Sequence, residues 1–163
     1  MRIDPSGQQR LIAQATHAKQ GASDSVARFI LEGTLPNGLA FAANGDFIID
    51  NFGTDAVERM TREGASTTLY TEIDGQPIGK ANFVLADSND RIWLTVSTRL
   101  QPWTRNINEK TADGYVALID EHGARIAADG FVGTNEARLD WDEEWLYVVE
   151  SNARRTWFCA NAM

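Results

Sequence analysis

A single cysteine, two histidines and four prolines stand among the 163 residues. With one thiol, Cys159, no intrachain disulfide can form. His17 and His122 lack the spacing of metal ligands, and no cysteine cluster supplies one. Basic residues are outnumbered: 15 Lys and Arg face 23 Asp and Glu, a net charge of −8. That balance argues against nucleic acid or an anionic membrane as partner, since both call for local positive charge. No apolar run reaches the length that spans a bilayer, and the start, Met1 to Arg10, has neither basic n-region nor apolar h-region. The expected location is the cytoplasm. Gly-rich phosphate loops and serine-nucleophile motifs are absent too.

The chain does have short apolar runs. With 43% hydrophobic and 23% charged residues, it has the composition of a soluble globular domain long enough for a real core. Residues 1–24 are small and polar and are expected as an N-terminal extension, where Leu11, Ile12 and Ala15 weakly mark one helix face. From Val26 the runs become rich in Phe, Ile, Val, Trp and Tyr, with turn clusters at close intervals. This pattern predicts an all-β protein of short antiparallel strands.

One cadence recurs. Asn37, Asn82 and Asn135 each precede a strand, a turn of Asn, Asp, Gly or Glu, and a second strand. The first two are 45 residues apart and the last two 53. Further strands follow each hairpin, at Val57–Met60 and Thr67–Tyr70, then at Tyr115–Asp120 and Ala124–Ala127. Each unit therefore reads as four strands, and a period near 45 points to a β-propeller. A β-sandwich has similar strands but does not predict the repeated Asn. The expected fold is a partial propeller of about three blades over residues 25–157. Val26–Ile30 would end a preceding blade, and Arg154–Phe158 would be the third strand of the last. Residues 158–163 read as an atypical tail, suggesting truncation, and a second copy can complete the ring as a homodimer.

Innermost strands run beside the central channel, so Asn37, Asn82 and Asn135 are expected to head them on one rim. Amide oxygens suit a hard cation such as Ca²⁺, which would polarise a bound carbonyl and stabilise an oxyanion. Asp50, Asn51, Thr95 and Glu150 end second strands on the same rim. Trp93, Tyr147 and Phe47 are expected to pack between blades. The loop Leu100–Asp113, carrying Trp103 and Arg105, is placed to cover a substrate.

The segments LPNGLAF, GQPIGKANFVLADSNDRIWLTVST and TNEARLDWDEEWLYVVES resemble the senescence-marker-protein/gluconolactonase family, also called regucalcin-like, from about residue 25 to 155. Its members are six-bladed propellers. The resemblance implies Ca²⁺- or Zn²⁺-dependent hydrolysis of lactones or related esters at the propeller axis. It also implies that Asn82 binds substrate or metal, that Lys80 contacts substrate and serves catalysis, and that Asn135 ligates the metal. The family's first inner strand opens on an acidic ligand, where this chain has Asn37. A further Asp ligand would lie beyond residue 163. A non-catalytic propeller that binds a ligand or protein partner on its rim is the competing reading.

Overall fold

The computed structural model describes residues 2–11 and 35–160. The strand expected at Val26–Ile30 and most of the expected N-terminal helix face lie outside them. Leu11 is described and belongs to no element.

Three antiparallel sheets make up the fold, each a propeller blade. Blade 1 contains β3 (Pro36–Phe41), β4 (Phe47–Asn51), β5 (Ala56–Met60) and β6 (Ser66–Tyr70) in sequential order. Blade 2 repeats the plan with β9 (Ala81–Ala86), β10 (Ile92–Val96), β11 (Gly114–Asp120) and β12 (Gly123–Phe131). Blade 3 has β13 (Thr134–Leu139), β14 (Trp145–Glu150) and β15 (Arg155–Ala160). Two small hairpins complete the strands: β1 (Arg2–Ile3) with β2 (Gln9–Arg10), and β7 (Glu72–Ile73) with β8 (Gln76–Pro77). The only helix among the described residues is one short turn, Arg105–Glu109. None is long and apolar enough to cross a membrane. β15 reaches Ala160, past the expected start of the tail at residue 158.

The strands pack because side chains alternate between faces. Ala40, Ile48 and Val57 of blade 1 meet Val84, Leu94, Tyr115 and Ala117 of blade 2 in one buried cluster. The other face of blade 2, with Trp93, Val116 and Leu118, meets Ala137, Leu146 and Val148 of blade 3. Blade 2 is thus buried on both sides.

Register corrects one expectation. Leu85 pairs with Trp93, Arg138 with Tyr147, and Ala40 with Ile48, so Ile48 occupies the Trp93 place in blade 1. Phe47 is one residue off, and a one-residue step turns a side chain to the opposite face. Its ring lies 5.4 Å from that of Phe41, on the face turned away from blade 2. Only Trp93 of the three aromatics belongs to a core cluster between described blades.

The hairpin turns also touch one another. Ala43 N–H donates to Asp90 Oδ1 at 2.9 Å, joining the first turns of blades 1 and 2. Ser88 donates to Glu143 through its N–H at 3.0 Å and its hydroxyl at 2.7 Å, joining those of blades 2 and 3.

Candidate functional site

Asn37, Asn82 and Asn135 are the second residues of the three inner strands. Asn37 Nδ2 donates to Asn82 O at 2.6 Å and to Asn82 Oδ1 at 2.9 Å. Asn82 Nδ2 donates to Ser97 Oγ at 2.6 Å, and Ser97 Oγ donates to Thr134 O at 2.7 Å. A polar chain therefore runs from blade 1 through blade 2 to blade 3. Asn135 Nδ2 donates to Ser151 Oγ at 2.7 Å, repeating the Asn–Ser pair one blade on. Ser97 and Ser151 went unnoticed in the sequence. Their signal is the spacing, 15 and 16 residues after the paired Asn. In blade 1 that place belongs to Phe52.

Lys80 is buried, only 4% exposed. Its ammonium donates to Phe52 O at 2.9 Å, sits 2.8 Å from Asp55 Oδ1, and lies 5.1 Å from the Phe52 ring centroid. Burial pushes the Asp55 carboxyl up, and Lys80 opposes that shift. The charge of Lys80 is thus engaged inside the fold, tying blade 2 to the turn after β4. Trp103 packs edge-on against the same Phe52, with centroids 5.2 Å apart. Arg105 is exposed and pairs with Glu109 at 2.7 Å along the short helix. The loop that carries both is anchored at its base: Asn106 Nδ2 donates to Asp113 Oδ1 at 3.0 Å, and Asn152 Nδ2 donates to Asn106 Oδ1 at 3.1 Å. Those bonds hold it beside Ser151 of blade 3.

The other rim candidates separate into bonded and unbonded groups. Asn51 Oδ1 accepts from the N–H groups of Leu35, Gly53 and Thr54, and its amide donates to Glu58 Oε1 at 3.2 Å. The Thr95 hydroxyl donates to Asn135 O. Glu150 accepts from Val132 N–H and the Trp157 indole N–H. Asp50 differs. It is fully buried, and neither carboxyl oxygen has a hydrogen-bond partner. Burial pushes its pKa up to about 7. Asp50 pairs with Gly38 as Thr95 pairs with Phe83. A Cβ on Gly38 would stand 2.1 Å from Asp50 Oδ1 and 2.8 Å from Val84 N, so the glycine leaves room for the carboxyl between the blades.

The donors that Asn37, Asn82 and Asn135 bring to this rim are neutral amides. Among the described residues no three His, Cys, Asp or Glu side chains gather. Asn37 and Asn135 donate their side-chain nitrogens to Asn82 and Ser151, which leaves the neutral Oδ1 atoms as the oxygens they can offer. A Ca²⁺ site prefers several anionic oxygens, which neutral amides do not replace.

No protein-family model matches the chain, and no curated protein matches it. Solved structures do resemble it. A gluconolactonase from Xanthomonas campestris superposes with a TM-score of 0.65 at 20% identity, covering 77% of this chain and 44% of that one. A putative gluconolactonase gives 0.65 at 16% identity, covering 78% and 46%. A catalytically inactive virginiamycin B lyase from Staphylococcus aureus, solved with quinupristin, gives 0.56 at 13% identity, covering 79% and 39%. The chain therefore spans less than half the length of these proteins, and what it shares with them is the propeller fold.

Proposed function

We propose that this chain is part of a hydrolase of lactones or related esters, with its substrate held on the rim headed by Asn82 and Asn135. The observation that carries this reading is the repeated Asn–Ser pair in adjacent blades. Each serine fixes an amide by accepting from its NH₂ group. In blade 3 this leaves the Asn135 carbonyl oxygen to accept from a substrate hydroxyl. An aldonolactone, dense in hydroxyls, suits such a surface. The gluconolactonases of the same fold support that substrate class.

Hydrolysis adds water across the acyl C–O bond and yields a hydroxy acid. Asn82 and Asn135 bind and orient the ring, while Ser97 and Ser151 position the two amides. Trp103, on the anchored loop, borders the substrate. Lys80 has no part in the chemistry, because its ammonium is occupied by Phe52 and Asp55. No step is routed through a cation, since the residues described here do not gather its ligands.

Incubation with glucono-δ-lactone, followed by acid release at constant pH, tests the reading. Hydrolysis above the buffer rate is expected, with a loss of about tenfold or more in Asn135→Ala while the fold is retained. Hydrolysis no faster than buffer overturns the enzyme. The competing reading is a binder without turnover. It predicts lactone binding by calorimetry with no acid released.

A further inference from the structure

We propose that Asp50 keeps its proton in the folded protein and donates it across the seam of blades 1 and 2 to the carbonyl oxygen of Asn82, which makes Asp50 a positioning residue for the Asn82 amide. The hydrogen bond stands without the substrate reading above. Its consequence for substrate binding rests on that reading.

The Asp50 side chain is turned toward blade 2. Ile48 lies in the cluster that blade 1 shares with blade 2, and Asp50, two residues on in β4, shares its face. The Cβ on Gly38 that would meet the carboxyl would also stand 3.1 Å from Phe83 Cα. The carboxyl therefore points at the start of β9, where the Asn82 carbonyl joins Phe83.

The next seam has a donor at the same place. Thr95 pairs with Phe83 as Asp50 pairs with Gly38, and the Thr95 hydroxyl donates to Asn135 O in blade 3. Asn82 is the blade 2 counterpart of Asn135, so Asn82 O is the matching acceptor for Asp50. Its carbonyl is open to such a bond. Ala81 pairs with Val96 and Phe83 with Thr95, which makes Asn82 the extra residue of a bulge. Asn37 Nδ2 donates to Asn82 O at 2.6 Å, and a carbonyl oxygen has a second lone pair.

Only the protonated acid can use that acceptor. Asp50 is fully buried, and no donor reaches either of its oxygens. Strands β3, β4, β9 and β10 contain no Lys, Arg or His, and no acid besides Asp50. From β5, Glu58 accepts from Asn51 and Thr54, and Arg59 bonds to Asp46 at 2.8 Å. The Lys80 ammonium is engaged by Asp55 at 2.8 Å, and the Arg138 guanidinium of blade 3 lies 4.6 Å from the Phe83 ring centroid. A carboxylate here would face the Asn82 oxygen without a donor or counter-charge, whereas the acid satisfies both groups. Burial acts in the same sense, pushing the Asp50 pKa up to about 7.

The donated proton fixes the Asn82 peptide in its bulge. From there the side chain accepts from Asn37 and donates to Ser97. When Asp50 ionises, two oxygens repel across the seam and the bulge loses its anchor. Affinity for a ligand on Asn82 therefore falls as pH rises through the titration of Asp50.

Carbon-13 and nitrogen-15 NMR of the protein without ligand tests the bond. The Asp50 carboxyl carbon is expected at its protonated shift at pH 5. The Asn82 carbonyl and side-chain amide signals are expected to move together with it as pH rises to 8. Asp50→Thr rebuilds the Thr95 arrangement, and Asp50→Asn keeps a donor at every pH, so in both variants the Asn82 signals are expected to stay level. An ionised Asp50 at pH 5 overturns the proposal, as do Asn82 signals that titrate equally in both variants. The KM for glucono-δ-lactone is expected to rise up to about tenfold from pH 6 to pH 8 in the wild type and to stay level in Asp50→Thr. A rise shared by Asp50→Thr overturns the positioning role. Absence of hydrolysis at both pH values overturns the lactonase alone, and the NMR signals still decide the hydrogen bond.

Discussion

Asp50 is a carboxyl buried away from water. Its folded pKa, near 7, lies above the ordinary carboxylate value of 3.8. The folded state therefore holds a proton that the unfolded state has released between about pH 4 and pH 7. Stability falls as pH rises through that window and is level above it. The full penalty above pH 7 is roughly 4 kcal/mol by linkage. Asp50→Asn keeps the shape of the protonated acid. It is expected to match the wild type in urea melts at pH 4 and to exceed it by a few kcal/mol at pH 8. Equal differences at the two pH values would remove Asp50 as the source. Gly38 bears on the same carboxyl. Gly38→Ala puts a methyl 2.1 Å from Asp50 Oδ1 and is expected to cost about 1–3 kcal/mol. Only the share due to the carboxyl is recovered when Asp50→Ala is added, because the backbone contact at Val84 N, 2.8 Å, remains, and a double-mutant cycle separates the two.

Strands and turns were the most legible level. Turn clusters such as Asn44-Gly45-Asp46 and Asn89-Asp90-Arg91 stop one strand and start the next, because Asn, Asp and Gly tolerate the conformations a tight reversal needs. All the blade strands expected after residue 36 are present within a few residues. Partners that lie in another blade were not legible. Lys80 read equally well as a surface lysine or a substrate contact, since its acceptor at Phe52 lies 28 residues earlier in the chain. Phe47 looked equivalent to Trp93 until pairing showed the one-residue offset. Ser97 escaped notice because a serine at a strand end is common, and its meaning depends on touching both Asn82 and Thr134 O. That bridge makes a prediction for the element. Ser97→Ala removes an acceptor and a donor at the seam of blades 2 and 3, and is expected to cost about 1–2 kcal/mol by denaturant titration. Its effect and that of Asn82→Ala should sum to more than the double variant costs. Strict additivity would mean that the two side chains do not act together.

At the scale of the molecule, the blades behave as a short stack in which neighbours supply stability. Blade 2 is covered by blade 1 through Leu94, Val84 and Tyr115, and by blade 3 through Trp93, Val116 and Leu118. Blades 1 and 3 each have one such cluster with a described neighbour. Opening blade 2 exposes both clusters, whereas an end blade opens at the expense of one. Hydrogen exchange is therefore expected to be slowest in β9, β10 and β11 and faster in β6 and β15. Exchange at β10 no slower than at β6 or β15 would show that blade 2 gains no protection from its two neighbours.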